Sequence, residues 1–148
     1  ADRLAGESAV PTFVGPVLGS VQGADGELPV DMSYENSPSV LFDAVFVVGG
    51  RQAIDTLKTH GDAIHFLNEA FRHCKPIGAV GEGVELLEAS SIVGVDLAPA
   101  NATTQVTADR GVVTVRDAGG VSDFSKEFVA AIAQHRHWDR ELIEQVPA

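Results

Sequence analysis

Short apolar runs, each ended by glycine and followed by a helical pattern, alternate along this 148-residue chain and leave it few possible folds. The clearest run, at 44–48, has no polar residue and ends at Gly49 and Gly50. Such a run indicates a strand covered on both faces, as in a parallel sheet. A second run, at 77–80, ends in the same way at Gly81. Strands that alternate with helices predict a three-layer α/β fold, with a mostly parallel sheet and helices on both faces.

Apolar residues at spacings of three and four predict the helices that join these strands. We expect a short helix from Arg51 and a second helix capped by Asp62. The buried stripe of the second helix ends at Cys74, where a free cysteine acts as a small apolar residue. Ser122 is predicted to cap the longest helix, whose buried stripe runs on to His135. The outward face of the second helix is expected to carry His65, Asn68, Glu69 and Arg72.

The first third of the chain has a different pattern. Two stretches, at 17–22 and 28–31, flank the sequence Gly-Ala-Asp-Gly at 23–26. Because glycine readily adopts positive φ, an Asp-Gly pair favours a tight turn and predicts a β-hairpin here. Residues 1–6 resemble the last turn of a helix, and 135–148 are predicted to form an irregular C-terminal tail.

Charge and hydropathy exclude two kinds of partner. The chain has 21 acidic residues against 10 Lys and Arg, a formal net charge of −11, and residues 4–50 contain no Lys or Arg. Non-specific nucleic-acid binding needs clustered basic residues, so we expect no nucleic-acid partner. The longest apolar run is far shorter than a membrane helix, so we also expect no membrane partner.

Cysteine and histidine offer no obvious reactive group. The single cysteine, Cys74, cannot form an internal disulfide and favours a reducing, cytoplasmic location. His135 and His137 are two residues apart and would face different sides of a helix, so we expect no metal site. His65 and Glu69, four residues apart, are expected to form a surface pair.

The turn at 81–83 is the strongest candidate for a site. A strand, a sharp glycine turn and a helix have the shape of a nucleophile elbow. The elbow position is Gly81, which supplies no nucleophile, and Glu82 follows it. The elbow therefore lacks a Cys-His pair, and no catalytic residue is predicted. Open α/β sheets bind ligands at the carboxyl ends of their strands, where backbone N–H groups can donate hydrogen bonds to an anion. The candidate anion or ligand crevice consists of Gly49, Gly50, Gly81, Glu82 and Gly83.

Six motifs occur in order along the chain. They are Asp-Gly-Glu-Leu-Pro-Val at 25–30, Phe-Asp-Ala-Val-Phe-Val-Val-Gly-Gly at 42–50, Gly-Asp-Ala at 61–63, Asn-Glu-Ala-Phe-Arg-His at 68–73, Lys-Pro-Ile at 75–77 and His-Arg-His-Trp-Asp-Arg at 135–140. Together they resemble the C-terminal domain of large-subunit monofunctional heme catalases. The resemblance covers nearly the whole chain from about residue 10. That domain is similar to flavodoxin and to the DJ-1/PfpI class of glutamine-amidotransferase-like folds.

The resemblance implies where catalysis and cofactor belong. In such catalases heme, the axial tyrosine and the distal histidine lie in an N-terminal core outside this sequence, so we expect no cofactor in this chain. The implied partners are that core and the sister subunits of a homotetramer that removes hydrogen peroxide under oxidative stress. In DJ-1/PfpI proteins the elbow carries a reactive cysteine, followed by histidine in the proteases. Here Gly81 and Glu82 stand in those places, which implies a chain without catalysis of its own.

The resemblance also implies a strand and a helix that would precede the first strand of this chain. In a sheet of order 2-1-3-4-5, that additional strand lies between the second and third strands. We therefore expect a single flavodoxin-like domain over 1–148 that lacks the first strand and most of the first helix of its family. It would belong to a longer polypeptide, and a segment of that polypeptide or another chain would fill the gap.

Three functions remain open at this point. The first is a non-catalytic accessory domain that stabilises an oligomeric catalase. The second is a chaperone-like module that holds unfolded client proteins on exposed apolar surface. The third is a small-molecule or anion site in the glycine crevice, or the unreactive remnant of a DJ-1/PfpI-type site.

Overall fold

The computed structural model of the protein describes residues 6–23, 26–102 and 104–148. Residues 1–5, which make up most of the predicted helical turn at 1–6, lie outside the described residues. The two central residues of the predicted hairpin turn, 24 and 25, lie outside them as well.

Strands and helices alternate through the second half of the chain after a strand-rich beginning. The first four strands are β1 (Val14–Gly15), β2 (Gly19–Gly23), β3 (Gly26–Val30) and β4 (Met32–Ser33). The elements that follow are β5 (Val45–Val47), α1 (Arg51–Leu57), α2 (Gly61–Arg72), β6 (Ile77–Val80), α3 (Gly83–Ala89), β7 (Thr107–Asp109), β8 (Val112–Val115) and α4 (Val121–Ala133). Single 3-10 turns lie at Tyr34–Asn36, Ser39–Leu41, Ala118–Gly120 and Ile143–Gln145.

The main sheet has four strands in the order β5-β6-β8-β7. The pairs β5–β6 and β6–β8 are parallel, and β7 runs antiparallel to β8 at one edge. Strand β6 sits in the centre, with Ile77 opposite Val45 on one side and Val112 on the other. The predicted mostly parallel sheet is therefore confirmed, with one antiparallel edge strand. Two small sheets lie apart from it: β1 pairs with β4 in parallel, and β2 pairs with β3 as an antiparallel hairpin.

Helices cover both faces of the sheet, which confirms the predicted three-layer α/β fold. On one face Ile54 of α1, Phe71 of α2 and Leu87 of α3 are completely buried against the strands. On the other face α4 packs alone, through Phe124 and Phe128. Burial of apolar surface on these two faces is the main favourable term in folding. It contributes roughly 25 cal/mol for each Å² of apolar surface removed from water.

The prediction that 44–48 is covered on both faces is wrong for one of them. Phe46 remains 37% exposed and Val48 63% exposed. The reason is that α4 lies mainly over β6 and β8. The Phe46 ring contacts Phe124 and Phe128 of α4 from the side, with ring centroids 5.6 and 5.9 Å apart. Strand β5 therefore forms a partly bare edge of the sheet.

Both predicted helix caps are wrong. Helix α2 begins at Gly61 with His60 as its N-cap residue, and Asp62 lies within its first turn. Helix α4 begins at Val121 because the 3-10 turn before it leads directly into the helix, and Ser122 is its second residue. Helix α4 ends at Ala133, so His135, with φ of +61° and an exposed side chain, is not on its buried stripe.

The outward face predicted for α2 is partly wrong. His65 is exposed as expected, but Asn68 is only 3% exposed, and its side-chain oxygen accepts a hydrogen bond from the Ser91 N–H at 3.1 Å. Glu69 does not pair with His65. Its carboxylate accepts hydrogen bonds from the backbone N–H and the hydroxyl of Ser39, at 2.6 and 2.7 Å.

Buried Arg140 holds the C-terminal tail in place. The tail is irregular apart from one 3-10 turn, as predicted. The Arg140 guanidinium donates to the carbonyl oxygens of Phe71, Lys75 and Arg110 at 2.7, 2.8 and 2.9 Å, and lies 4.3 Å from the centroid of the Phe71 ring. Burial away from water lowers the pKa of Arg140 to about 10. The tail is thereby attached to the turn between α2 and β6.

Candidate functional site

The candidate site lies where β6 turns into α3. The strand ends at Val80, and the helix begins at Gly83. Between them Gly81 adopts φ of +62°, a conformation that glycine reaches without strain. The Gly81 N–H donates to the Val115 carbonyl at 2.8 Å, which ties the turn to the end of β8. The strand, glycine turn and helix of an elbow are all present.

The five glycine-crevice residues are brought together at the carboxyl ends of β5 and β6. A Cβ atom on Gly49 would lie 2.9 Å from the Val80 carbonyl oxygen and 3.0 Å from Glu82 Oε2. A Cβ atom on Gly83 would lie 2.8 Å from the Val47 carbonyl oxygen. Glycine is needed at both positions because the backbones of the two turns approach so closely.

The Glu82 carboxylate occupies the position where the sequence predicts an anion. Its Oε2 accepts a hydrogen bond from the Gly50 N–H at 3.1 Å. An incoming anion would therefore have to displace a carboxylate of the chain itself and would be repelled by its charge. Helix α3 has only seven residues, so its amino end adds little to compensate. Ligand binding in this crevice stays a prediction, and the geometry disfavours an anionic ligand.

A charged cluster beside the crevice was not predicted from the sequence. Arg51 donates to both carboxylate oxygens of Glu85, at 2.7 and 2.6 Å, and Lys58 donates to Glu85 at 2.9 Å. These two cations lower the pKa of Glu85 to about 2. Lys58 also lies 3.0 Å from Asp55. The spacing of Arg51, Asp55 and Lys58 on one helix could have indicated a charged face, but nothing local links them to Glu85.

Cys74 is a buried structural residue at the end of α2. It is 1% exposed, with φ of +56°, and its thiol lies 3.8 Å from the Arg72 carbonyl oxygen. Its own carbonyl accepts a hydrogen bond from the His137 N–H at 2.9 Å. Reactive cysteines are partly exposed in electropositive surroundings. The burial of Cys74 agrees with its predicted role as a small apolar residue.

The remaining surface carries few features of a binding site. Within residues 6–23, 26–102 and 104–148, no three or more His, Cys, Asp or Glu side chains are grouped closely enough to hold a metal ion. None of the helices in those ranges is both long and apolar enough to cross a membrane. A cavity of about 210 Å³ between Gly111, Glu127 and His137 lies at the amino end of β8, opposite the elbow.

The sheet order, the glycine elbow and the helices on both faces define an α/β domain, and its fold is similar to that of DJ-1/ThiJ/PfpI-like proteins. A solved two-domain protein from Anabaena variabilis, with DJ-1/ThiJ/PfpI-like and ferritin-like domains, is similar, with a TM-score of 0.78 and 19% identity over 89% of this chain and 44% of that chain. A ThiJ/PfpI domain protein from Brachyspira murdochii has a TM-score of 0.77 and 20% identity over 90% of this chain and 85% of that one. These likenesses show the fold.

By sequence, the chain belongs to the family of C-terminal domains found in long catalases, whose model matches residues 1–141. It is 44% identical to Catalase HPII of Mycobacterium avium, over 95% of this chain and 20% of that protein. It is 36% identical to Catalase-1 of Neurospora crassa, over 94% of this chain and 20% of that protein. The predicted family is therefore confirmed, and the chain spans about a fifth of the length of these relatives.

The single tyrosine of this chain does not fit the role of a heme-iron ligand. Catalases bind heme iron through tyrosine, and Tyr34 is the only tyrosine of this chain. Its ring packs edge-on against Phe66, with centroids 5.4 Å apart, and lies 6.0 Å from the ring of His60. Burial raises the pKa of Tyr34 and so favours the neutral phenol over the phenolate that an iron ligand supplies.

Proposed function

We propose that this chain is a non-catalytic accessory domain of a long catalase and stabilises the enzyme without taking part in the breakdown of hydrogen peroxide. The observation that carries the proposal is the pair Gly81 and Glu82 at the elbow. Gly81 has no side chain to react, neither residue supplies the cysteine and histidine of a reactive elbow, and the Glu82 carboxylate accepts a hydrogen bond from the Gly50 N–H. The partners proposed are the heme-containing core of the same polypeptide and its sister subunits.

The proposal gives different roles to the catalase core and to this domain. The core would convert two molecules of hydrogen peroxide into two of water and one of oxygen. This domain would supply no ligand, proton or electron to that step. Its contribution would be to raise the barrier to unfolding or dissociation, which sets the lifetime of a large oligomeric enzyme.

Peroxide consumption by the separate chain tests the absence of catalysis. The chain is mixed with hydrogen peroxide and free heme, and the loss of absorbance at 240 nm is compared with heme alone and with the complete catalase. We expect the rate of heme alone. A rate that exceeds it in proportion to the concentration of the chain would contradict the proposal.

We further propose that β5 accepts an additional strand from the longer polypeptide. The Val45 N–H donates to the Pro76 carbonyl at 3.0 Å, and alternate residues in a parallel ladder bond to opposite neighbours. The backbone N–H and C=O of Phe46 therefore face away from β6, at an edge that contains neither Lys nor Pro. Open apolar edges of this kind accept added strands.

Amide hydrogen exchange in the complete catalase tests this strand addition. We expect the Phe46 amide to exchange at least about a hundredfold more slowly than an unstructured amide, because an added strand would bond to it. The Val45 amide, already bonded to Pro76, is the internal control. Rapid exchange at Phe46 with slow exchange at Val45 would contradict the proposal.

Client binding is the competing function, because the domain exposes apolar residues such as Val17 and Leu18. Light scattering of a heat-labile protein distinguishes it from the accessory role. If the complete catalase, at equimolar amounts, fails to suppress aggregation, the accessory role alone stands. Suppression that persists after the core is inactivated by heme removal would instead support a chaperone-like function.

A further inference from the structure

The hairpin formed by β2 and β3, named the arm (Gly19–Gly23 and Gly26–Val30), has no partner layer within the described residues. Its two strands pair with each other and with no other described strand. The residues at 17–22 and 27–29 are all exposed. Isolated two-stranded hairpins are at best marginally stable in water, and they become ordered when one face packs against another surface. The arm therefore needs a surface to pack against.

The base of the arm is firmly attached to the domain. Val30 is 9% exposed, and its methyl groups pack over Gly15. The Asp31 N–H donates to the Phe13 carbonyl at 2.8 Å, and the Phe13 N–H donates to Asp31 Oδ2, also at 2.8 Å. The direction in which the arm leaves the domain is thus fixed by contacts at its base, whereas Val21 and Leu28 farther out remain about half-exposed.

One face of the arm is apolar, and it continues the face that is buried at Val30. Val21 lies directly opposite Leu28, two positions along from the pair of Gly19 and Val30. Side chains two residues apart in a strand share a face. The Val21 and Leu28 side chains are 48% and 42% exposed. The opposite face is polar, with the Ser20 hydroxyl bonded to Glu27.

The segment that carries the arm is acidic. Residues 4–50 contain no Lys or Arg. Glu27 lies on the polar face of the arm, and Asp31 follows the arm directly. A partner that fits would place apolar side chains against Val21 and Leu28 and basic side chains around them. A second copy of this acidic arm would instead bring like charges together.

We propose that the arm is the docking element of the domain, and that its apolar face, centred on Val21 and Leu28, packs on an apolar, basic-rimmed face of the catalase core. The inference rests on the proposed function. It is supported by the length of the relatives, of which this domain spans about a fifth, so that most of a long catalase lies outside it. It assigns the contact to one hairpin and one face of that hairpin.

Site-specific photocrosslinking in the complete catalase tests the assignment. A benzoylphenylalanine replaces Leu28, and in a matched control it replaces Val10, which is 90% exposed and lies outside the arm. After irradiation, crosslinked peptides are identified by mass spectrometry. We expect Leu28 to yield peptides of the catalase core and Val10 to yield few or none. Crosslinks from Leu28 only to this domain, to a second copy of the arm or to unrelated proteins would overturn the proposal.

A pair of variants adds a readout that does not depend on crosslinking. In the complete catalase, V21S/L28S should speed amide exchange in β2 and β3 by about tenfold or more, because the apolar contact is lost. V10S should leave it unchanged. Unaltered exchange in β6 and β8 shows that the domain remains folded. Equal exchange in wild type and V21S/L28S would also overturn the assignment.

Removal of the whole domain distinguishes failure of this inference from failure of the proposed function. If the arm does not contact the core but removal of the domain still shortens the lifetime of the catalase, the accessory role stands and the docking element lies elsewhere. If removal has no effect on lifetime, the accessory role fails independently of the crosslinking result.

Discussion

The Glu85 carboxylate is held by two cations from another part of the fold. Glu85 on α3 receives hydrogen bonds from Arg51 at the start of α1 and from Lys58, the residue that follows α1. Removing either cation would leave the other to hold Glu85, so the two helices stay joined near the elbow. Surface ion pairs contribute little one at a time, but a bidentate arginine within a small network is the geometry in which they do contribute.

The Glu85 cluster predicts a pH dependence below pH 5. The pKa of Glu85 is about 2 in the folded domain and about 4.3 in an unfolded chain. A carboxyl with a lowered folded-state pKa stabilises the fold above its unfolded value, and that stabilisation is lost as pH falls toward 2. NMR titration of the Glu85 carboxyl should give a pKa near 2.

Variants show whether that pKa contributes to stability. E85Q should lower the melting temperature at pH 7 and should have a much smaller effect at pH 2, where about half of the wild-type carboxyl is protonated in the folded domain. E127Q, at an exposed position on α4, is the control and should have little effect at either pH. An NMR pKa of Glu85 near its unfolded value would contradict the cluster.

Two glycines stand at the first position of a helix, and we expect an alanine substitution to have opposite effects at the two positions. A Cβ on Gly83 would lie 2.8 Å from the Val47 carbonyl oxygen, whereas a Cβ on Gly61 has nothing within 4 Å. G83A should therefore destabilise the domain by roughly 1–3 kcal/mol through overpacking. G61A should be neutral or stabilise it by about 0.5 kcal/mol, because alanine restricts the unfolded chain. Urea unfolding of the two variants measures both, and equal effects would show that the elbow is not closely packed.

At the scale of helices and strands, the sequence predicts features that follow from a regular spacing of apolar residues. It misses features that depend on tertiary contacts. Apolar periodicity identifies β5, β6, α2 and α4, because strands and helices bury residues at different spacings. It misplaces the N-caps at Asp62 and Ser122, because the residue at which a helix begins depends on the turn that precedes it. Asn68 looks outward-facing by residue type, yet it is buried because the loop at Ser91 folds over it.

The candidate site was predicted in part for the same reason. Glycines at 49, 50, 81 and 83 follow the two apolar runs, and in a parallel sheet the ends of adjacent strands meet. The sequence therefore predicts that these glycines lie close together. The hydrogen bond from Gly50 to Glu82 is not, because it depends on the rotamer of one side chain and on the separation of two turns.

The hydrogen bonds of Arg140 attach the tail to the domain, and they predict how a substitution there changes the free energy of unfolding. R140K should destabilise the domain by about 2–4 kcal/mol, because an ammonium group cannot bond to three carbonyl oxygens in the plane of a guanidinium. R136K is the control, since the Arg136 guanidinium donates one long hydrogen bond, at 3.5 Å, to the carbonyl of the preceding residue, and it should change stability by less than about 0.5 kcal/mol. Thermal unfolding checks the pair. If R140K matches R136K, the tail is not held by this guanidinium.

At the scale of the whole molecule, the domain combines a closed core with two bare features. The bare edge at Phe46 and the arm at Val21 and Leu28 are both apolar, in a chain whose net charge is −11. The elbow between β6 and α3 has glycine where a nucleophile would stand. This combination agrees with the accessory role proposed above.

The proposed role of the domain is to stabilise a long catalase without contributing to its turnover. The most direct measurement compares the complete catalase with a form that lacks this domain, recording initial peroxide turnover per heme and the half-life of activity at elevated temperature. We predict equal turnover, within about twofold, and a half-life at least about tenfold shorter without the domain. A fall in turnover at full heme content, or an unchanged half-life, would contradict this role.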